Sequence, residues 1–105
     1  SERMTLKLRW QKQTMIAMIT YDLNKDKNYQ RVWNAIEALG ETRRDPGLDS
    51  VWFVDTVYSV LDIQNHFTDN GIIDKDDRFF ISKLAIENVS GWLAADIVDW
   101  LHLKL

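Results

Sequence analysis

Met15-Ile16-Ala17-Met18-Ile19 puts five apolar residues in a row, and Thr20-Tyr21-Asp22 ends the run. Asn24, Asp26 and Asn28 follow as turn-formers. An apolar run this short before a polar turn reads as a strand covered on both faces. It delivers one carboxylate, Asp22, to its C-terminal edge. Upstream, Met4, Leu6, Leu8 and Trp10 alternate with Thr5, Lys7, Arg9 and Gln11. That period of two predicts a half-buried strand that pairs on a sheet edge or crosses to a partner subunit. Residues 1–14 are therefore read as an extension strand with its connector, and 15–105 as a single domain.

Downstream, Tyr29, Val32, Trp33, Ile36 and Leu39 recur at helical spacing, with Gln30, Arg31, Asn34 and Glu37 on the other face. Asn28 or Asp26 is placed to cap the first turn, and Gly40 to close the helix in a left-handed conformation. Asp45-Pro46-Gly47 is the strongest turn signal in the chain. It predicts a hairpin between a polar strand at 41–44 and a β-branched, aromatic strand at 50–56. Ser59-Val60-Leu61-Asp62 opens a second helix to about Asn70, with Val60, Ile63 and Phe67 inward and Gly71 ending it. Asp74-Lys75-Asp76-Asp77 lacks the glycine and final glutamate of a calcium loop and is read as a turn. A strand over 78–86 follows. Ser90-Gly91 breaks it, and a last helix over 92–103 turns Leu93, Ile97, Trp100 and Leu101 inward.

The order β-α-β-β-α-β predicts an α+β fold, a ferredoxin-like split βαββαβ sandwich with an additional N-terminal strand and a C-terminal helix. Its first core strand is central in that topology.

Composition narrows the classes. An apolar fraction of 46% with five Trp describes a globular chain. Cysteine is absent, which excludes disulfides, zinc-thiolate sites and a Cys nucleophile and suits a reducing cytoplasm. No apolar run approaches the ~18 residues of a membrane span, so the expectation is a soluble, cytoplasmic protein without a membrane partner. The formal charge of −3 is uneven. Through Arg44, nine basic residues oppose five acids; from Asp45 on, four oppose eleven. This permits an anionic partner on the first half, or self-association of unlike surfaces.

Ile19-Thr20-Tyr21-Asp22-Leu23-Asn24, the helix ending Ala38-Leu39-Gly40, Asp49-Ser50-Val51-Trp52-Phe53-Val54 and Asp76-Asp77-Arg78-Phe79-Phe80-Ile81 together resemble the SinR-like small proteins. Those belong to the superfamily of the second CRISPR-associated protein, Cas-two. The resemblance implies a ferredoxin-like homodimer associated with nucleic acid and antiviral defence, in a superfamily whose members include metal-dependent endonucleases and a non-catalytic DNA clamp. It carries the family aspartate onto Asp22 and the family serine onto Ser50. Paired Asp22 carboxylates across a dimer axis would hold Mg²⁺ or Mn²⁺ to activate water. Without a metal, Asp22 would cap the loop that follows it. Lys25, Lys27, Arg31, Arg43 and Arg44 are the candidate phosphate contacts. The alternative is a non-catalytic dimeric module of phage or mobile-element origin that binds a protein or a small nucleotide. His66 and His102 have no metal spacing and are expected on the surface.

Overall fold

The computed structural model describes residues 13–24 and 27–105. The expected extension strand and candidate Lys25 lie outside the described residues. Four strands form one sheet: β1 (Met15–Asp22), β2 (Gly40–Arg43), β3 (Val51–Thr56) and β4 (Arg78–Lys83). Their order is β2-β3-β1-β4, and every neighbouring pair is antiparallel. Helices α1 (Tyr29–Glu37) and α2 (Val60–Asp69) connect β1 to β2 and β3 to β4. A 3₁₀ turn, Ile86–Asn88, leads to the C-terminal helix α3 (Ala95–Lys104).

β1 is central and apolar on both faces because both faces are covered. Ala17, Ile19 and Tyr21 join Trp52 and Val54 of β3 beneath Val32, Ala35 and Ile36 of α1 and Ile63 and Phe67 of α2. On the other side Ile16 and Phe53 pack on Ile97, Trp100 and Leu101 of α3, with Met18 and Val51 at the margin. The five-residue apolar run thus feeds two separate clusters.

Local signals set most boundaries. Asn28 caps α1, its side chain accepting from the Gln30 N–H at 3.0 Å. Ser59 caps α2 by accepting from the Asp62 N–H at 3.1 Å. Gly71, at φ 64°, supplies the left-handed residue just past α2.

Several expectations need correction. Gly40 does not cap α1; Ala38 does, and Gly40 opens β2 opposite Thr56. Glycine is required there by proximity, since a Cβ would stand 1.9 Å from the Asp55 carbonyl oxygen. Val60 is not inward: it is exposed at the first turn of α2, where the helix has not yet closed on the sheet. β4 ends at Lys83 and not at residue 86, because the chain turns into the 3₁₀ segment. α3 begins at Ala95 and leaves Trp92 outside it, 98% exposed.

The hairpin loop and α3 are joined by Asp45. Its carboxylate accepts from the Gly47 N–H at 2.8 Å and the Ala94 N–H at 2.6 Å. The second bond places a negative charge at the start of α3, where the helix dipole favours it. These backbone donors, Ala94 first and then Gly47, hold the Asp45 carboxyl below the usual carboxylate range. α3 is then pinned to β2 and β3 by a polar cluster. The Trp100 indole donates to Glu41 at 2.7 Å, and Lys104 bridges Glu41 at 3.3 Å and Asp55 at 3.1 Å.

Candidate functional site

The C-terminal end of β1 gathers most of the residues the sequence singles out. Asp22 is exposed at the last position of β1, opposite Arg78 of β4 in the strand register. Among the described residues it enters no hydrogen bond or ion pair. The loop-capping role expected of it falls instead to Asp77, whose side chain is fully buried. Asp77 accepts from the Asn24 N–H at 2.8 Å and the Asp74 N–H at 3.0 Å. One carboxylate thereby ties the loop after β1 to the turn before β4, across 53 residues of sequence. The acidic run is a turn, as expected: the Asp76 N–H donates to Asp74 Oδ1 at 2.8 Å and the Asp77 N–H to the Asp74 carbonyl at 3.1 Å.

Ser50 sits beside the same edge, just before β3, and its carbonyl accepts from the Tyr21 N–H at 3.3 Å. Its hydroxyl enters no hydrogen bond among the described residues.

The basic candidates divide into engaged and unengaged. Lys27 is bonded to Asp74 and lies 3.6 Å from Asp77. Asp74 above all raises its pKa, and Lys27 in turn holds the Asp74 carboxyl low. Arg31 donates to the Asn70 carbonyl at 2.7 Å and to the Gly71 carbonyl at 3.1 Å, filling acceptors left open at the end of α2. Arg43 pairs with Glu41 at 3.0 Å and lies over the Trp100 ring. These three complete the protein's own polar balance.

Arg44 differs. Its guanidinium lies 4.6 Å from the Trp52 ring centroid and 5.2 Å from that of Trp33, and it makes no ion pair or hydrogen bond among the described residues. Both indoles are fixed from below, because both donate to the hydroxyl oxygen of Tyr21, Trp33 at 2.6 Å and Trp52 at 3.1 Å. Two rings held by one buried phenol form a shelf, and the exposed cation lies on it. Tyr29 flanks the shelf, with its ring 6.3 Å from that of Trp33. The sequence named Arg44 but not the shelf, which is assembled from β1, α1 and β3 and has no local signature.

For metal chemistry the donors are few. Among the described residues no three His, Cys, Asp or Glu side chains gather into a group that could hold an ion. Asp22 by itself falls far short of the six or more oxygens that a hard cation takes. His66 and His102 are both exposed. Among the described residues no helix is long and apolar enough to cross a membrane. In comparisons with protein-family models, curated proteins and solved structures, the chain matches none.

Proposed function

We propose that this chain is a ferredoxin-like, Cas-two-like nucleic-acid-associated protein that acts as a homodimer and holds a phosphate backbone without cutting it. The strand order, with α1 and α2 on one face, supports the ferredoxin-like reading. The observation that carries the binding role is Arg44, an exposed guanidinium preorganised on two indoles at the end of the sheet that bears Asp22 and Ser50. A planar cation with unused donors suits phosphate oxygens. Catalysis has less support: one carboxylate per chain makes any Mg²⁺ or Mn²⁺ site depend on the Asp22 of a second copy.

A second reading, a protein-interaction module, is favoured by a separate observation. Lys27, Arg31 and Arg43 are already engaged within the chain, and the whole carries −3. One experiment separates the readings: fluorescence anisotropy with labelled single-stranded RNA, single-stranded DNA and duplex DNA, with and without Mg²⁺ or Mn²⁺, followed by gel analysis. Holding predicts salt-sensitive binding, with Arg44→Ala flattening the log–log salt slope by about one for duplex DNA. Asp22→Asn should leave binding intact. Binding unchanged in Arg44→Ala overturns the assignment of the shelf, and no binding to any probe favours the interaction module. Divalent-dependent cleavage that vanishes in Asp22→Asn would replace holding with a nuclease.

A further inference from the structure

Arg43 and Arg44 are consecutive at the end of β2, which has a neighbour on one side only among the described residues. Successive side chains of a strand point to opposite faces. Arg44 lies on Trp52 and Trp33, on the face that α1 and α2 cover. Arg43 lies over the Trp100 ring, 5.2 Å from its centroid, on the face that α3 covers. The two guanidiniums therefore straddle β2, and what separates them is engagement. Arg43 Nη1 donates to the Thr42 carbonyl at 2.8 Å, and Nη2 stands 3.0 Å from Glu41 Oε1.

That last contact is the one that gives most easily. Loss of Arg43 does not strip the Glu41 carboxylate: Oε1 also accepts from the Trp100 indole at 2.7 Å, and Lys104 stands 3.3 Å from Oε2. The causes that hold the Glu41 carboxyl low fall in the same order, with Trp100 first, Lys104 next and Arg43 last. The Arg43 and Glu41 side chains are 40% and 45% exposed, so water screens their pair and it exchanges at little cost. Lys27 lacks this freedom. It faces the fully buried Asp77 at 3.6 Å, and its departure would take the counter-charge from that carboxylate.

We infer that Arg43 is a second phosphate contact, masked by Glu41 and drawn off it by a phosphate group arriving at Arg44. This rests on the phosphate-holding role proposed for Arg44 and adds its control. Trp100 and Lys104 of α3 keep Glu41 in place, so the mask stays behind when the cation leaves. The guanidinium exchanges one anionic oxygen for another, and its planar donors fit a phosphate as they fit a carboxylate.

The test is fluorescence anisotropy on the full chain with labelled single-stranded RNA, single-stranded DNA and duplex DNA at several salt concentrations. Parent, Arg44→Ala, Arg43→Ala, Glu41→Gln and the double variant Glu41→Gln/Arg43→Ala are compared. Arg43→Ala should bind more weakly, with a log–log salt slope flatter by about one on duplex DNA. Glu41→Gln should bind about two- to fivefold tighter, the range of an exposed ion pair, and the gain should disappear in the double variant. Arg43→Gln, which keeps much of the side chain's length, takes the place of Arg43→Ala if circular dichroism shows that variant unfolded. A slope unchanged in Arg43→Ala but flattened in Arg44→Ala overturns the masked contact and leaves the holding role standing. A Glu41→Gln variant that binds no tighter, or that gains as much without Arg43, overturns the masking. Binding indifferent to Arg44→Ala, or a parent that binds none of the probes, overturns the holding role and this inference with it.

Discussion

Tyr21 lies under two indoles, and its hydroxyl oxygen accepts from both. Tyr21→Phe keeps the ring and strands the buried Trp52 N–H without an acceptor, so urea denaturation should show a loss of about 1–3 kcal/mol. A loss below about 0.5 kcal/mol would mean that the two bonds contribute nothing net. Asp77 gives the matching case for a carboxylate. Asp77→Ala leaves the Asn24 and Asp74 N–H groups unpaired and should cost about 1–2 kcal/mol in the same measurement. Neither residue was legible in the sequence as a linchpin. Tyr21 stands next to the more conspicuous Asp22, and Asp77 ends a run of acids that looks like a solvated turn. Their partners are far along the chain, and periodicity carries no information about such pairs. Asp22 drew attention through its place at the end of an apolar run, yet it is the carboxylate at this edge without a partner among the described residues.

At the scale of elements, what was local was legible. Both side-chain caps, the Asp45-Pro46-Gly47 turn, the alternation of strands with helices and the α1 stripe from Val32 onward all lie within a few residues and match the reading, whereas Tyr29, expected to open that stripe, is exposed. Gly40 shows where locality ends. A glycine after a helix looks like a cap, but this one is dictated by the Asp55 carbonyl on the neighbouring strand. Gly40→Ala must push β2 away from β3, and it should destabilise by about 1–3 kcal/mol, the usual cost of overpacking. Gly71→Ala meets no neighbouring atom, and its penalty comes only from its left-handed backbone. A chemical melt in which Gly40→Ala costs no more than Gly71→Ala would show that the strands separate freely there. The C-terminal helix was read three residues too early because Trp92 and Leu93 look like its first apolar turn. Asp45 sets the true start by holding the Ala94 N–H.

The whole molecule is held at its seams by charged groups, and their titration sets its pH range. Asp45, Asp74 and Glu41 all have carboxyl pKa values below normal; for Glu41 the Trp100 indole is the first cause and Lys104 the second. Depressed carboxylates contribute fully above the ordinary carboxyl range, about pH 4, and the contribution is lost as pH falls through the folded-state values. Lys27, bonded to Asp74, and Lys104, bonded first to Asp55 and then to Glu41, are raised. Their contribution is complete below about pH 10.4 and is lost as pH rises through the folded-state values. The melting temperature should therefore form a plateau between those limits. Glu41→Gln should soften the acid side, with Trp100 fluorescence reporting the release of α3; an acid limb identical to the parent's would remove Glu41 from this account. Trp100→Ala should cost about 3–5 kcal/mol by emptying the smaller cluster.

Two clusters on one strand also mean that β1 has no parity. A strand with a single apolar face resists a shift of one residue, because every side chain would change sides. Met15 to Ile19 would present hydrocarbon to both layers either way. What forbids the shift is the polar end of the strand: moved by one, the Tyr21 phenol would leave both indoles and enter the α3 side. Tyr21 thus acts as a key for one alignment, together with Asp22, whose carboxylate the shift would turn toward the α1–α2 core. Tyr21→Phe should accordingly lose uniqueness along with stability, giving doubled amide resonances for β1 in NMR spectra. A single sharp set would show that Asp22 and the hydrocarbon packing select the alignment without the phenol.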